Sequence, residues 1–330
     1  MPIATIASES YVIFGGAGFI GSHLVKALLE YGAKEIVVAD INENSGPRYE
    51  GVVYKHCDVR EKIPVDLISG PGIVVNLAAI HRTPGHEDHE YFDTNVKGAN
   101  NVVDFCERTG SNVIWFTSSI SVYGPSEDER QESSELKPES AYGQSKVQAE
   151  AIHRKWAEKD SGRKLVIARP AVVFGARENG NFTKLAKALK KGLFVYPGRK
   201  DTIKGCGYVE DLVGSLLFMH DQPDRFVLYN YCYPTPYTIK DICKAFVKVA
   251  GLKKPLGVFP LSLMVRIAKV FQFLDRIGLK NGIHPERMYK LIRSTHIVPG
   301  ELIKRGYPYR TELDEGLKQW LTDEPNGKFI

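Results

Sequence analysis

The 330-residue chain has no stretch long and uninterrupted enough to be read as a membrane span. Its most apolar C-terminal stretch, 255–280, is broken by Arg266, Lys269, Asp275 and Arg276. A cationic start leading into an apolar run is also missing, because Thr5, Ser8, Glu9 and Ser10 interrupt the first residues, so export is not expected. Cysteine is scarce: Cys57, Cys106, Cys206, Cys232 and Cys243 are an odd number without a C-x-x-C pair. That excludes a disulfide framework and suits reduced thiols in a cytoplasm. Glycine, serine and proline form no run long enough for a disordered linker, and no internal repeat is present. The net charge of +5 is dispersed among acids, without the basic stripe and interleaved aromatics of a nucleic-acid binder. A small substrate bearing phosphate accounts for the surplus more simply.

What is present is alternation. Tyr11 to Phe14, Glu35 to Ala39, Gly51 to Tyr54, Ile73 to Leu77, Val113 to Thr117 and Leu165 to Ala168 are short apolar, strand-like runs. Helical spacing separates several of them, at His23 to Tyr31, Tyr91 to Arg108 and Ala141 to Lys159. Such a pattern predicts an α/β fold with a Rossmann-type, doubly wound parallel sheet. After Pro170 the alternation loosens into helices at Phe182 to Lys191 and Val209 to His220, one strand at Phe226 to Tyr231, and a mostly helical remainder. The expected division is a nucleotide-binding domain of 1–176 plus about 206–237, and a smaller substrate lobe of 177–205 and 238–330.

The turn Gly15-Gly16-Ala17-Gly18-Phe19-Ile20-Gly21 closes the first strand and opens the first helix. Gly15 permits the tight turn, Gly18 lets backbone approach a pyrophosphate, and Gly21 lets helix and strand pack closely. The helix N-terminus then receives the phosphate charge. Asp40 ends the second strand, 19 residues beyond Gly21. A carboxylate there accepts both adenosine ribose hydroxyls and repels a 2′-phosphate, so NAD is expected over NADP. Asp58 and Val59 follow the third strand, where adenine contacts would fall. Leu77, Ala78 and Ala79 follow the fourth, where backbone must lie against a cofactor.

Tyr142-Gly143-Gln144-Ser145-Lys146 sets a phenol and an ammonium four residues apart on one helix face. An adjacent cation, and positive charge on oxidised nicotinamide, favour phenolate and lower a phenol's pKa, which makes Tyr142 a candidate acid/base and leaves Lys146 able to hold the nicotinamide ribose. The hydroxyl cluster Thr117-Ser118-Ser119-Ile120-Ser121 follows a strand, on the sheet edge where ligands bind in doubly wound folds.

In order and spacing, the glycine turn, the serine cluster and the Tyr/Lys pair resemble the extended short-chain dehydrogenase/reductases, the NAD-dependent sugar epimerase and dehydratase family. The resemblance spans essentially the whole chain. It implies Ser119, Tyr142 and Lys146 as catalytic residues. It also implies cofactor contacts at the glycine turn including Phe19 and Ile20, at Asp40, Asp58, Val59, Leu77, Ala78 and Ala79, and at Asn95, Tyr142, Lys146, Pro170 and Val172. The family's dehydratases carry an Asp-Glu pair directly after the catalytic hydroxyl, where this chain has Ile120 and Ser121. Dehydration is therefore disfavoured, leaving epimerisation at carbon 4 through a keto intermediate or reduction of a 4-keto sugar. A binding protein without catalysis is a third reading, opposed by the intact Ser119, Tyr142 and Lys146.

The segments Asn76 to Arg82, Arg169 to Gly175, Asn179 to Phe182 and Tyr208 to Asp211 look most like a subgroup from bacterial polysaccharide pathways. That subgroup includes 4-epimerases of N-acetylglucosamine carried on undecaprenyl diphosphate. By this likeness His81, Ser119, Ser121 and Asn181 would face a diphosphate-linked sugar, with Arg82, Arg199 or Lys204 neutralising the diphosphate. The resemblance further implies a homodimer through the helices of Tyr91 to Arg108 and Ala141 to Lys159. The stretch 261–277 is basic and amphipathic, fit either to lie in a membrane interface or to pack on its own protein. His81, His86 and His89 sit among acids but read as a polar loop, and no metal is expected.

Overall fold

The structure, a computed structural model, describes residues 7–81, 85–266, 289, 291–324 and 329. Its centre is a parallel seven-stranded sheet of β1 (Ser10–Phe14), β2 (Glu35–Asp40), β3 (Val52–His56), β4 (Ile73–Asn76), β5 (Val113–Thr117), β7 (Lys164–Pro170) and β11 (Phe226–Tyr231). The spatial order is β3-β2-β1-β4-β5-β7-β11, so the winding direction reverses between β1 and β4. The Rossmann-type expectation holds, and the element bounds differ from those read in the sequence by two residues or fewer at most ends.

A parallel sheet is covered on both faces, so its strands must be apolar at every position rather than at every second one. Side chains then divide by parity. Tyr11 and Ile13, Ile36 and Val38, Ile73 and Val75, Trp115, Val166 and Ala168, and Val227 and Tyr229 face one core. Val12 and Phe14, Val37 and Ala39, Val74, Ile114 and Phe116, and Leu165 and Ile167 face the other. The first face is closed by α1 (Phe19–Glu30) and α6 (Val209–His220). The second is closed by α3 (Gly98–Thr109) and α4 (Ala141–Glu158). Each fully buried aliphatic or aromatic side chain contributes about 1.5–3 kcal/mol. Both layers are therefore indispensable.

The helix read at Tyr91 to Arg108 is three pieces in line: α2 (Asp88–Phe92), a π-helical turn Asp93–Lys97, and α3. A third core joins Phe174, Phe182, Leu189, Tyr208, Phe246, Leu317 and Trp320. It packs α5 (Asn181–Lys191), α7 (Ile239–Ala250) and α9 (Leu313–Asp323) together, with Phe174 and Phe182 stacked at 4.5 Å. Three short parallel pairs had no signal in the sequence pattern: β8 (Val172–Phe174) with β10 (Cys206–Tyr208), β9 (Tyr196–Pro197) with β12 (Val258–Phe259), and β6 (Ser126–Arg130) with β13 (Thr295–Ile297). Near the C-terminus the chain returns to the main sheet. Leu302, in α8 (Gly300–Lys304), and Tyr307 belong to the first core, although they lie in the stretch read as substrate lobe.

That return is pinned by Asp211, which is fully buried. Its carboxylate accepts from the Arg310 amide at 2.8 Å, the Thr311 amide at 3.2 Å and the Thr311 hydroxyl at 2.6 Å. All five cysteines are buried and free. Among the described residues no helix is long and apolar enough to cross a membrane. Of the stretch 261–277, residues 261–266 are helical with Leu263 exposed, and the rest lies outside the described residues.

Replacing Asp211 by Ala strands two backbone donors and is expected to cost about 3 kcal/mol, read as a lowered denaturation midpoint in urea. A second expectation concerns acid. Burial lowers His153 and His220 from 6.5 to about 4. Between those values the unfolded chain binds more protons than the folded one, so stability falls as pH drops from 6.5 and the loss is complete near 4. Each histidine contributes a slope of about 1.4 kcal/mol per pH unit. Urea titrations at pH 7, 5.5 and 4.5 measure it, and a flat profile would contradict the neutral, buried histidines.

Candidate active site

The reversal between β1 and β4 opens a crevice at the carboxyl ends of the strands, the standard ligand position in such sheets. Gly15 enters it with φ of +74°, and a Cβ there would lie 2.8 Å from the Ala78 amide nitrogen and 2.9 Å from the Leu77 carbonyl carbon. The turn thus needs glycine for its backbone angle and for its contact with the segment after β4. Gly21 is locked equally firmly, since a Cβ would meet Gly16 backbone at 2.5 Å. Gly18 differs. It is exposed, and its Cβ would meet only the Gly15 carbonyl oxygen, at 3.2 Å. It caps α1 without a side-chain bond, and the first turn holds no acid. The amides of that turn therefore present partial positive charge to the crevice, which fits a pyrophosphate.

Asp40 braces this turn, its Oδ2 accepting from the Ala17 amide at 3.1 Å and its Oδ1 from the Asn42 amide at 2.9 Å. Its carboxylate stays half-exposed at the rim, as ribose recognition requires. Asp58 is held by the Arg60 guanidinium at 2.6 Å, which pulls its carboxyl below the usual range. Val59 is buried, and its carbonyl accepts from the Asn101 side chain. Phe19, Ile20, Leu77, Ala78 and Ala79 are half-buried around the turn, while Pro170 and Val172 lie at the β7–β8 junction.

Ser119, Tyr142 and Lys146 come together through one close contact. A Cβ on Gly143 would sit 2.5 Å from the Ser121 carbonyl oxygen, so the first turn of α4 rests directly on the serine turn. Ser140 caps α4 by accepting from the Gly143 amide at 3.1 Å. In that geometry the Ser119 hydroxyl bonds the Tyr142 phenol and also donates to the Ser121 hydroxyl at 3.1 Å. One turn on, the buried Lys146 ammonium donates to the Thr117 carbonyl at 2.8 Å and lies over the Phe116 ring at 4.8 Å. The Oδ1 of Asn95 accepts from the Ile80 amide at 3.0 Å. Its Nδ2 donates to the Ile80 carbonyl at 3.2 Å and to the Ser145 hydroxyl at 2.9 Å. Ser145 in turn donates to the Tyr142 carbonyl at 2.8 Å. The sequence reading assigned Ser145 no role, although it stands inside the Tyr/Lys motif.

Burial pushes the Tyr142 phenol up to about 12, and the bond from Ser119 opposes that only partly. Burial also pulls the neighbouring Lys146 ammonium down, to about 7. Tyr142 is therefore a proton donor at neutral pH until further positive charge arrives.

On the substrate side, His81 is exposed beyond β4, and Asn181 is exposed at the first position of α5. Arg82 lies outside the described residues. Arg199 already pairs with Glu127 and Asp201, each at 2.8 Å. Burial lowers Lys204 to about 8, and its ammonium donates to the Arg293 carbonyl. Those two cations belong to a charged cluster with Glu127, Asp201 and Ser294 rather than standing free for a phosphate. Ile120 is buried and Ser121 bonds Ser119, so neither position directly after Ser119 carries a carboxylate. Among the described residues no cluster of His, Cys, Asp or Glu could hold a metal.

The fold and this site define a dinucleotide-dependent enzyme with a Ser/Tyr/Lys centre. The model of the NAD dependent epimerase/dehydratase family matches residues 11–231, and the chain belongs to that family. Its cofactor is NAD. An N-acetyl-alpha-D-glucosaminyl-diphospho-ditrans,octacis-undecaprenol 4-epimerase of Escherichia coli O157:H7 is 28% identical over 325 residues, 96% of either chain. A UDP-glucose 4-epimerase of Lacticaseibacillus casei is 32% identical over 75% of this chain and 83% of its own. In fold, the chain is similar to the UDP-glucose 4-epimerase of Thermus thermophilus solved in complex with NAD. There the TM-score is 0.73, with 23% identity over 94% of this chain and 97% of that one.

Because Gly143 is the contact that seats α4 on the serine turn, Gly143→Val is expected to separate Tyr142 from Ser119. A displacement of that kind lowers turnover about 100-fold. Steady-state kinetics beside a circular dichroism melt would distinguish misplacement from unfolding.

Proposed function

We propose that the protein is an NAD-dependent 4-epimerase of an N-acetylhexosamine joined through diphosphate to undecaprenol, acting at the cytoplasmic side of surface polysaccharide synthesis. The observation that carries the reaction class is the assembled Ser119, Tyr142 and Lys146 beside a turn with no carboxylate at Ile120 or Ser121. The carrier is supported by coverage. Similarity to the undecaprenol-linked enzyme extends over 96% of the chain, whereas the Lacticaseibacillus UDP-glucose enzyme aligns with 75%.

In this reading Gly15, Gly18 and Gly21 with the first turn of α1 hold the NAD pyrophosphate, Asp40 the adenosine ribose, and Lys146 the nicotinamide ribose. Bound NAD supplies the hydride acceptor at carbon 4 and, when oxidised, a positive charge beside Tyr142. That charge favours phenolate and offsets the burial that holds Tyr142 near 12. Ser119 would orient the 4-hydroxyl, and Tyr142 would take its proton as the hydrogen on carbon 4 departs with its bonding pair as hydride. After the keto sugar turns over, Tyr142 would return the proton to the oxygen, the cofactor supplying hydride to the opposite face. No net oxidant is consumed. His81, Ser121 and Asn181 are proposed to contact the sugar, and a homodimer through α3 and α4 is the proposed assembly.

The test is incubation of purified protein with UDP-linked and undecaprenyl-diphosphate-linked N-acetylhexosamines, without added cofactor, followed by analysis of the released sugars. Conversion of the lipid-linked sugar to its 4-epimer is expected, and Tyr142→Phe should lower it at least 1000-fold, within the range for loss of an acid/base. Preference for the UDP-linked sugar would overturn the carrier. Stoichiometric consumption of reduced cofactor with a 4-keto sugar would replace epimerase by reductase.

A further inference from the structure

Lys146 is a buried ammonium, 2% exposed, whose hydrogen bond from Nζ to the Thr117 carbonyl brings no countercharge. Burial alone would neutralise it. One helical turn further along α4, on the same face, stands Glu150, also 2% exposed. Glu150 is held in a bidentate pair, with Arg169 Nε donating to Oε1 at 2.8 Å and Nη2 to Oε2 at 2.6 Å. Arg169, on β7, is 2% exposed and donates through Nη1 to the Tyr123 hydroxyl at 2.7 Å. Tyr123 donates onward to the Asn230 side chain at 2.7 Å. It follows directly on the turn that carries Ser119 and Ser121, so one network holds the hydroxyl segment and the catalytic helix.

Among the described residues, several charged and titratable groups lie around Lys146. Along α4 these are Glu150, Arg154, whose guanidinium reaches Glu150 at 4.0 Å, the neutral His153, and Tyr142. From β5 come only the Thr117 carbonyl and the Phe116 ring, and from β7 comes Arg169 by way of Glu150. Glu150 is the group whose charge raises the lysine against burial.

We propose that Glu150, fixed by Arg169, is a positioning residue that keeps Lys146 charged so that it can grip the nicotinamide ribose. This rests on the reading of Lys146 as a cofactor-holding group. Glu150 touches neither reactant. It acts through the electric field at Lys146, and Arg169 is needed because a carboxylate buried without a partner would take up a proton and lose that field.

The experiment measures NAD affinity against pH for the full-length protein by titration of the stripped enzyme, without sugar. In the wild type, affinity falls as Lys146 deprotonates, and Lys146→Met removes that dependence. Glu150→Gln is expected to move the midpoint down by about one pH unit, a tenfold loss of affinity at pH 7.5 that is recovered near pH 6. Glu150→Asp keeps the charge and should keep the midpoint, although it loosens the pair and lowers the melting temperature. The paired change Glu150→Gln with Arg169→Gln leaves no stranded cation, folds more readily, and should still lower the midpoint. An unchanged midpoint in both Gln variants, or an equal shift in Glu150→Asp, would overturn the proposal. If Lys146→Met leaves both affinity and its pH dependence intact, the underlying assignment of Lys146 fails instead.

Discussion

Everything in the molecule hangs on the requirement that a parallel sheet be covered on both faces. That requirement makes β1, β2, β4, β5 and β7 apolar at successive positions and forces each connection to cross over the sheet. Because the crossings change direction between β1 and β4, two loops diverge there and leave a gap. The gap is where Gly15 lies against Leu77 and Ala78, and where α1 points its uncapped amides. A nucleotide site is therefore a by-product of the winding, and the glycines adapt it to a phosphate.

Features whose physics is local were legible in the sequence. A glycine turn between a strand and a helix, an acid at the end of the next strand, and a Tyr/Lys pair at helical spacing each declare themselves within a few residues. The parallel, doubly wound sheet followed from the alternation of strands and helices, while its edge strand β11 lies where that alternation had already loosened. What could not be read depends on partners far apart in the chain. Glu150 and Arg169 are ordinary charged residues until β7 is laid beside α4. Asp211 lies in a segment similar to polysaccharide-pathway enzymes, yet its carboxylate holds the chain at 310–311. The pairs β8–β10, β9–β12 and β6–β13 are too short to generate a period. Arg199 and Lys204 looked available because a sequence does not display Glu127, Asp201 or the Arg293 carbonyl beside them.

The interior also shows how titratable groups on one helix face respond differently to deep burial. Tyr142, Lys146 and His153 occupy one helix face, and burial drives each toward its neutral form. His153 accepts that outcome, donating to the Ala149 carbonyl at 2.7 Å and stacking on Phe116 at 4.3 Å. Tyr142 and Lys146 are offset by neighbours, Ser119 in one case and Glu150 in the other. The same low dielectric that penalises their charges strengthens every compensating interaction.

The π-helical turn at Asp93–Lys97 has a further meaning. One additional residue within a helix rotates everything beyond it by about 100° relative to the preceding turns. Tyr91 therefore remains within ring contact of Tyr142, at 6.2 Å, while Val102 and Phe105 aim into the sheet. A single uninterrupted helix would have to choose between these two faces. Deleting one residue here would leave the composition of the helix almost untouched, yet it would put Asn95 out of phase with Ile80 and Ser145. The active centre is in this sense timed by a count of residues as well as built from their side chains.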